Sequence, residues 1–220
     1  MSVELKKRII TSFFLILLFV LMFFFTYILI ISLILISIIA WIEFYGLVSK
    51  IFIQKNNKDK TLRFIYKSIS LFYMTFLIYL VLMAKTYNVE LSLFIFYSIL
   101  ISIMSDLGGL IIGKIFKGKK LTKISPQKTI SGSIGSFIFS LILVPIFIKF
   151  LIIDDSLELF IITFVISLIS QMGDIFISLL KRKAKVKDTS DLLPGHGGVL
   201  DRIDGIIFAI PASFIIFTYF

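Results

Sequence analysis

Long apolar runs alternate with short polar segments along the whole chain. The first run, residues 9–42, contains no Asp, Glu, Lys or Arg. As a single helix it would be about 51 Å long, against a hydrocarbon core of roughly 30 Å in a bilayer. The pattern therefore predicts two membrane-spanning helices joined by a tight turn near residues 25–27, with the second running through Glu43 towards Val48.

Five further apolar segments predict five further spans, at about residues 68–84, 91–112, 133–151, 159–180 and 203–220. Between them, residues 50–67 are predicted to form a solvated cytosolic loop, and residues 85–90 a short turn. We expect Glu43 to reach the membrane interface or to pair with a lysine, because it lies near a helix end. The predicted fold is all-α: a polytopic integral membrane protein of about seven transmembrane helices, in one membrane-embedded domain over residues 1–220.

Composition narrows the class of protein. Hydrophobic residues make up 59% of the chain and charged residues only 16%, with 25 Phe and a mean hydropathy of +1.07. These values exclude an ordinary soluble domain. The chain has no cysteine, which excludes disulfides and cysteine-ligated metal sites.

The cations indicate an orientation. Of the 23 Lys and Arg residues, 21 lie in the N-terminal segment and in the loops that follow the second, fourth and sixth predicted spans. The positive-inside rule then predicts a cytosolic N-terminus, an external C-terminus and an active site facing the cytosol from the cytoplasmic membrane. A net charge of +10 could suggest nucleic acid as a partner. Cations confined to short membrane loops instead favour lipid headgroups and nucleotide phosphates.

Most of the candidate chemistry lies in residues 178–204, SLLKRKAKVKDTSDLLPGHGGVLDRID. Cations, glycines and carboxylates in one segment are typical of a phosphate and metal site. A glycine-rich turn before a helix leaves backbone N–H groups that can bind an anion. On a helix beginning near Val199, Asp201 and Asp204 would share a face that could hold Mg²⁺.

Three other polar residues are candidates for a functional site. His196, the only histidine, is either a loop residue with backbone hydrogen bonds or a phosphate donor or proton carrier. Asp106 and Asp174 fall inside predicted spans, a few turns from the cytosolic side. An ionisable group at such depth indicates a functional site by default. We therefore expect one polar cavity at the cytosolic membrane face.

The same segment resembles the signature of the phosphatidate cytidylyltransferases, S-x-x-K-R, four residues, K-D, then P-G-H-G-G, two residues, D-R-x-D. The matching residues are Ser178, Lys181, Arg182, Lys187, Asp188, Pro194, Gly195, His196, Gly197, Gly198, Asp201, Arg202 and Asp204. An S-P-x-K-T string at Ser125, Pro126, Lys128 and Thr129 is similar to the same family, as are Ser105-Asp106 and Gly173-Asp174. Ile130 and Ser131 depart from it, since the family has Trp and Glu there.

The resemblance implies transfer of CMP from CTP to phosphatidate, giving CDP-diacylglycerol and pyrophosphate. It implies Mg²⁺ on Asp174 and Asp201, with a second, monovalent cation left open. The implied catalytic residues are Asp106, Lys128, Lys181, Arg182, Lys187, Asp188, His196, Arg202 and Asp204. Ser125, Thr129, Gly195, Gly197 and Gly198 are the implied substrate-binding residues.

The expected partners are CTP, phosphatidate and membrane lipid, without nucleic acid, and a homodimer is left open. Three alternatives also stay open at this point: a CTP-dependent polyprenol or lipid kinase, an ether-lipid cytidylyltransferase, and an ion-coupled transporter. A transporter more often shows inverted repeats. This chain instead concentrates its polar residues in its C-terminal half.

Overall fold

Helices make up nearly all of the regular structure. The computed structural model of the chain describes residues 3–53, 56–87, 89–122, 125, 128–151 and 156–219. Within these residues the elements are α1 (Val3–Phe24), α2 (Thr26–Ile51), α3 (Asn57–Tyr87), α4 (Val89–Phe116), α5 (Ile130–Leu141), α6 (Val144–Phe147), α7 (Ser156–Lys183), α8 (Leu200–Ile203) and α9 (Ile206–Tyr219). The prediction of an all-α fold is confirmed for this part of the chain.

In the described part of the chain, five helical segments are long and apolar enough to cross a membrane. They are Thr26–Ile51, Asn57–Thr86, Val89–Phe116, Ile130–Phe147 and Ser156–Lys183. The apolar part of α1, Ile9–Phe24, and the 14-residue α9 are shorter. The lengths and hydropathy of the five long segments support integration of the chain into a membrane.

The predicted break in the first apolar run is confirmed. Phe25 separates α1 from α2 and has an extended backbone, with φ −115° and ψ 108°. Its N–H still donates to the carbonyl of Leu21, at 2.9 Å. A single non-helical residue is therefore enough to divide a run that is too long for one span.

The loop predicted for residues 50–67 is wrong for most of its length, because α3 begins at Asn57. The side chain of Asn56 accepts a hydrogen bond from the backbone N–H of Asp59, at 2.9 Å, as an N-terminal cap does. Polar composition suggested a loop, whereas this Asn–x–x–Asp spacing is a helix start. The turn predicted for residues 85–90 is likewise much shorter, since α3 continues to Tyr87 and α4 begins at Val89.

The last part of the predicted fifth span and the first part of the seventh are also corrected. The fifth is distorted between α5 and α6, just before Pro145, whose missing N–H cannot continue the helical ladder, and its helical part ends at Phe147 rather than at residue 151. The seventh was expected to begin at residue 203, but α8 ends there and α9 starts at Ile206. The prediction that Asp201 and Asp204 share one helix is therefore wrong, because Asp204 lies in the turn between α8 and α9.

The chain divides into two compact units. Unit 1 comprises residues 1–78 and 180–203, and unit 2 comprises residues 79–179 and 204–220. In unit 1, α2 packs against α1 and α8. In unit 2, the core contains the fully buried Tyr97, whose hydroxyl lies 2.6 Å from that of Thr163. Ile101, Leu159, Ile162, Ile166 and Ala209 lie in the same core.

Small residues set the packing of α4 against α5 in unit 2. A Cβ atom at Gly108 would lie 2.3 Å from the carbonyl oxygen of Gly135, and one at Gly135 would lie 2.4 Å from the Cβ of Ile112. Ser136 donates across the interface to the carbonyl of Ser105, at 2.7 Å. Gly132 and Gly135 lie at the start of the fifth predicted span, where the sequence predicts that small residues let helices approach closely. The close contacts at both glycines confirm this prediction.

Candidate functional site

The motif segment begins where α7 ends, in unit 1. Lys185 has a positive φ of 56°, which reverses the chain. Its N–H donates to the carbonyl of Arg182, and the N–H of Val186 donates to the carbonyl of Lys181. This pair of bonds is the Schellman arrangement, which normally has glycine at the left-handed position. It turns the chain out of α7 directly after the cluster of cations.

A tight turn forms around Pro194 and Gly195. The N–H of His196 donates to the carbonyl of Leu193 at 2.8 Å, and Gly195 has φ 77°. Proline at the second position and a positive-φ glycine at the third are the requirements of a type II turn. The P-G-H string is therefore explained by backbone geometry before any contact with substrate is considered.

Glu43 on α2 is the residue of this site that the sequence interpretation missed. Its carboxylate is buried, with 6% of the residue exposed. Oε1 accepts from Ser190 Oγ at 2.6 Å and from the N–H of Val199 at 3.0 Å. Oε2 accepts from the N–H of Leu200 at 2.7 Å and lies 2.9 Å from Thr189 Oγ1. Its partners in the described part of the chain are hydroxyls and backbone amides, and a lysine, one of the two expected alternatives, is not among them.

Asp201, on α8, is the second carboxylate that accepts hydrogen bonds from the motif loop, residues 184–200, which runs from the end of α7 to the first residue of α8. Its Oδ1 accepts from Lys181 Nζ at 2.6 Å. Its Oδ2 accepts from the N–H groups of Thr189, at 2.8 Å, and Gly198, at 3.1 Å, and lies 2.9 Å from Thr189 Oγ1. The single hydroxyl proton of Thr189 is thus shared between Asp201 and Glu43, and donates to one of them at a time.

The environment of Asp201 favours its ionised form. Burial raises the pKa of this carboxyl, but the Lys181 ammonium and the N–H donors of Thr189 and Gly198 lower it by more, so the pKa falls below the ordinary value of 3.8. Asp201 is therefore a stable anion around which the loop folds.

Two glycines of the motif have a structural requirement. Gly197 has φ 82°, a conformation that side chains disfavour, and a Cβ there would lie 3.1 Å from Asp201 Oδ2. At Gly198 a Cβ would lie 2.0 Å from Thr189 Oγ1 and 2.6 Å from Glu43 Oε2. The N–H groups of Gly198, Val199 and Leu200 all donate to protein carboxylates. In this conformation they are therefore engaged within the protein, whereas the sequence had suggested them as a phosphate cradle.

His196 and Arg202 fasten the same loop. Arg202 Nε donates to the carbonyl of His196 at 3.0 Å, and His196 Nε2 lies 3.2 Å from Ser12 Oγ on α1. Thr11 Oγ1 donates to the carbonyl of Pro194 at 3.1 Å. These bonds favour the first interpretation of His196, a loop residue with backbone hydrogen bonds. Its proposed role in proton or phosphate chemistry stays a prediction.

In unit 2, the structure pairs Lys128 with Asp174. Lys128 Nζ contacts Asp174 Oδ2, and the two side chains are 24% and 23% exposed. By contrast, Lys181 and Asp201 of unit 1 are 13% and 5% exposed. The other oxygen of Asp174 has a long contact of 3.4 Å with Ser178 Oγ. This carboxylate therefore keeps more accessible acceptor capacity than Asp201 does.

The segment that carries Lys128 has its own local order. The N–H of Leu121 donates to the carbonyl of Lys128 at 2.8 Å, and the N–H of Ile130 donates to that of Lys119 at 2.9 Å. Thr129 caps α5, because its hydroxyl accepts from the N–H of Gly132 at 3.0 Å. Pro126 of the S-P-x-K-T string lies outside the described residues. Ser125 is buried, with 8% exposed, and its N–H donates to Thr122 Oγ1.

The remaining predicted residues differ in exposure. Asp204 is 5% exposed, and its carboxylate accepts from the N–H of Gly205. The exposed ones are Asp106 on α4 and Arg182, Lys187 and Asp188 of the motif segment. Separately, a cavity of about 410 Å³ in unit 1 is lined by Trp41, Tyr45, Lys60, Arg63, Phe64, Lys67, Ser68 and Leu71. None of the predicted site residues is among them.

Comparison with known proteins decides the family. A model described as the cytidylyltransferase family matches residues 6–220 of the chain. The chain belongs to the cytidylyltransferase family.

Several curated proteins that are similar to this chain share the name phosphatidate cytidylyltransferase. A phosphatidate cytidylyltransferase of Rickettsia prowazekii (strain Madrid E) is 41% identical over 138 residues, 59% of this chain and 60% of that protein. Those of Staphylococcus haemolyticus (strain JCSC1435) and Bacillus subtilis (strain 168) are 43% and 36% identical, over 54% and 58% of this chain and 46% and 48% of theirs. The chain thus aligns with about half the length of the curated relatives it matches.

The grouping and the accessibility of the carboxylates can be compared with what Mg²⁺ coordination requires. Within the described residues, no three Asp, Glu or His side chains group closely enough to form a metal site by themselves. Mg²⁺ in nucleotide enzymes usually takes only one or two carboxylates and completes its shell with water and phosphate. Asp174 fits that role, because it is partly exposed and keeps acceptor capacity. Asp201 already accepts several donors in this conformation, and its assignment as a ligand stays a prediction.

Proposed function

We propose that the chain transfers CMP from CTP to phosphatidate. A phosphate oxygen of the lipid forms a bond to the α-phosphorus of CTP. The bond from that phosphorus to the bridging oxygen of the β-phosphate breaks, and pyrophosphate leaves with both electrons of that bond. The observation that carries this proposal is the family match over residues 6–220, together with relatives named phosphatidate cytidylyltransferase.

The residues support this chemistry through charge. Both substrates are anions, so catalysis requires cations that offset their repulsion and stabilise the departing pyrophosphate. Lys128 and Lys181 are oriented by ion pairs with Asp174 and Asp201, while Arg182 and Lys187 are exposed. We assign these four cations, with Arg202, to the phosphates of the substrates. Mg²⁺, when bound at Asp174, would add positive charge at those phosphates.

The finer topology is part of the proposal. Seven spans, with α1 and α9 as the shorter two, would place 21 of the 23 cations on the cytosolic side of the cytoplasmic membrane. A reporter fused after Phe220 should then be active only outside the cytosol, and one inserted between Asn56 and Asn57 only inside. Cytosolic activity of the C-terminal fusion would refute this orientation.

The activity test separates transfer of CMP from transfer of phosphate. Purified protein is incubated with Mg²⁺, phosphatidate and CTP labelled at either the α- or the γ-phosphorus. We expect the α-label in an organic-phase lipid and the γ-label in pyrophosphate. Omission of phosphatidate is the control, and it should leave the organic phase unlabelled.

The opposite distribution of label would identify a different enzyme. A CTP-dependent lipid kinase breaks the bond between the β- and γ-phosphates, so the γ-label would enter the lipid and CDP would accumulate. That result would overturn the proposed function while leaving the family assignment intact.

A further inference from the structure

We propose that Glu43 is a positioning residue that holds the motif loop in its reactive shape. Its carboxylate bonds to two separate stretches of that loop, Thr189–Ser190 and Val199–Leu200. The proposal rests on the proposed function, because it assigns Glu43 a role in the same reaction. Glu43 itself lies on α2 and belongs to none of the motifs that indicated the family.

The carboxylate of Glu43 contacts the motif loop on both sides of its central turn. The two stretches flank the turn around Pro194 and Gly195, so a single carboxylate joins the chain before the turn to the chain after it. Leu200 is fully buried, and its N–H donates to Glu43 Oε2 at 2.7 Å. A buried backbone N–H requires an acceptor. Glu43 supplies that acceptor from α2.

Thr189 extends the effect of Glu43 to Asp201. Its hydroxyl lies 2.9 Å from Glu43 Oε2 and 2.9 Å from Asp201 Oδ2, while its N–H also donates to Asp201. A shift of Glu43 would therefore move Thr189, and with it the donors that orient Asp201. Because Asp201 is the ion-pair partner of Lys181, the orientation of this lysine depends on α2 as well.

Substitution by glutamine tests the carboxylate with little change of shape. In Glu43→Gln one acceptor oxygen becomes an NH₂ donor, which in either orientation faces a backbone N–H, that of Val199 or of Leu200, that also donates. We expect kcat to fall about 10- to 100-fold, the size of effect that small displacements of reacting groups produce. We expect KM for CTP to change by less than about threefold, because Lys181 is the only one of the five assigned phosphate-binding cations that the described residues show paired with Asp201.

Glu43 contacts the hydroxyl of Thr189, and two variants at Thr189 test the same contact without altering α2. Thr189→Ser keeps the bridging hydroxyl and should retain most of the activity, whereas Thr189→Val removes it and should lower kcat as Glu43→Gln does. If the contact is shared, Glu43→Gln and Thr189→Val together should cost much less than the product of their separate effects. If Glu43→Gln does not fold, the Thr189 pair decides the question.

Thr163→Val is the matched structural control. It removes buried hydrogen bonds of similar length, those of the Thr163 hydroxyl with Tyr97 and with the carbonyl of Leu159 in unit 2, which we place outside the site. It should lower the melting temperature and leave kcat of the folded protein unchanged. Wild-type kcat in Glu43→Gln or Thr189→Val, or an equal loss in Thr163→Val, would overturn the proposal.

Hydrogen exchange tests the same proposal without the reaction. Peptides that contain the N–H groups of Val199 and Leu200 should exchange faster in Glu43→Gln than in the wild-type protein or in Thr163→Val. Unchanged exchange in Glu43→Gln would overturn the positioning role. If the wild-type protein instead lacks transferase activity while exchange responds as expected, the proposed function fails and the structural role of Glu43 stands.

Discussion

The packing of α4 against α5 and the motif loop before α8 are stabilised in different ways. The two helices approach closely because Gly108 and Gly135 leave no room for a side chain between them. The loop instead depends on two carboxylates, Glu43 and Asp201, that accept hydrogen bonds from its backbone and hydroxyls. A contact based on shape fails when an atom is added, whereas a contact based on acceptors fails when a charge or an oxygen is removed.

Adding one methyl group should have the largest effect where shape decides. We expect Gly108→Ala to cost about 3 kcal/mol or more, because its Cβ would overlap the carbonyl oxygen of Gly135 and force the helices apart. Gly46→Ala, on α2, is the matched control, since apart from its chain neighbours and the backbone of its own helix no atom lies within 4 Å of a Cβ there. It should change stability by no more than about 1 kcal/mol, in the favourable direction. Thermal unfolding in detergent measures both, and equal melting temperatures would contradict the comparison.

The shape-based contact was accessible from the sequence, and the loop was not. Runs of apolar residues predicted the helices, and Gly132 and Gly135 near the start of the fifth predicted span indicated close packing. The partners of Glu43 lie 146 to 157 residues further along the chain. No local pattern shows that a carboxylate on α2 accepts hydrogen bonds from the motif loop, and its position near a helix end suggested only an interfacial or lysine-paired residue.

The motif residues show the same limit. Sequence reasoning identified Lys181, Asp201 and the glycines as one functional segment. The structure brings them together, because Lys181 on α7 and the N–H of Gly198 both bond to Asp201 on α8. Sequence reasoning did not separate residues that shape the loop from those available to a substrate. That distinction depends on which N–H groups are already bonded, as those of Val199 and Leu200 are. The helix boundary at Asn57 depended on a cap by Asn56, which hydropathy does not report.

Removal of charge from the two aspartates should separate structural from chemical roles. Asp201→Asn places an NH₂ group against the Lys181 ammonium or against backbone donors, so we expect a loss of about 1–3 kcal/mol in stability as well as loss of activity. Asp174→Asn alters a more exposed pair and should cost only about 0–1 kcal/mol. It should nevertheless abolish turnover, since Asp174 is the proposed metal ligand. Melting temperature and label transfer, measured on both variants, test this difference, and near-normal turnover in either one would remove that residue from the proposed ligands.

We expect acid to weaken the hydrogen bonds between Asp201 and the motif loop only at low pH. The pKa of Asp201 is lower in the folded protein than its ordinary value of 3.8, so the unfolded chain binds its proton first as the pH falls. The stabilisation from Asp201 is therefore complete above about pH 4 to 5 and disappears as the pH falls through the lower, folded pKa. Hydrogen exchange at the N–H groups of Thr189 and Gly198, corrected for the intrinsic pH dependence, should show constant protection between pH 7 and 5. Loss of protection within that range would mean that the carboxylate is not held as an anion.

The smallest effects are expected beside Thr129, where the chain departs from the family pattern. Ile130 is 46% exposed, and its backbone rather than its side chain makes the contact with Lys119. Ile130→Ala should therefore leave label transfer within about twofold of the wild-type rate, because surface substitutions away from specific contacts are usually worth less than 0.5 kcal/mol or so.

Ser131 donates to the carbonyl of Lys117 at 3.0 Å and contacts the hydroxyl of Thr129. Ser131→Ala should cost about 1 kcal/mol in stability and lower the rate modestly, since it loosens the segment that presents Lys128. A larger loss of activity in Ile130→Ala than in Ser131→Ala would show that the residue at the position of the family tryptophan contacts the substrate after all.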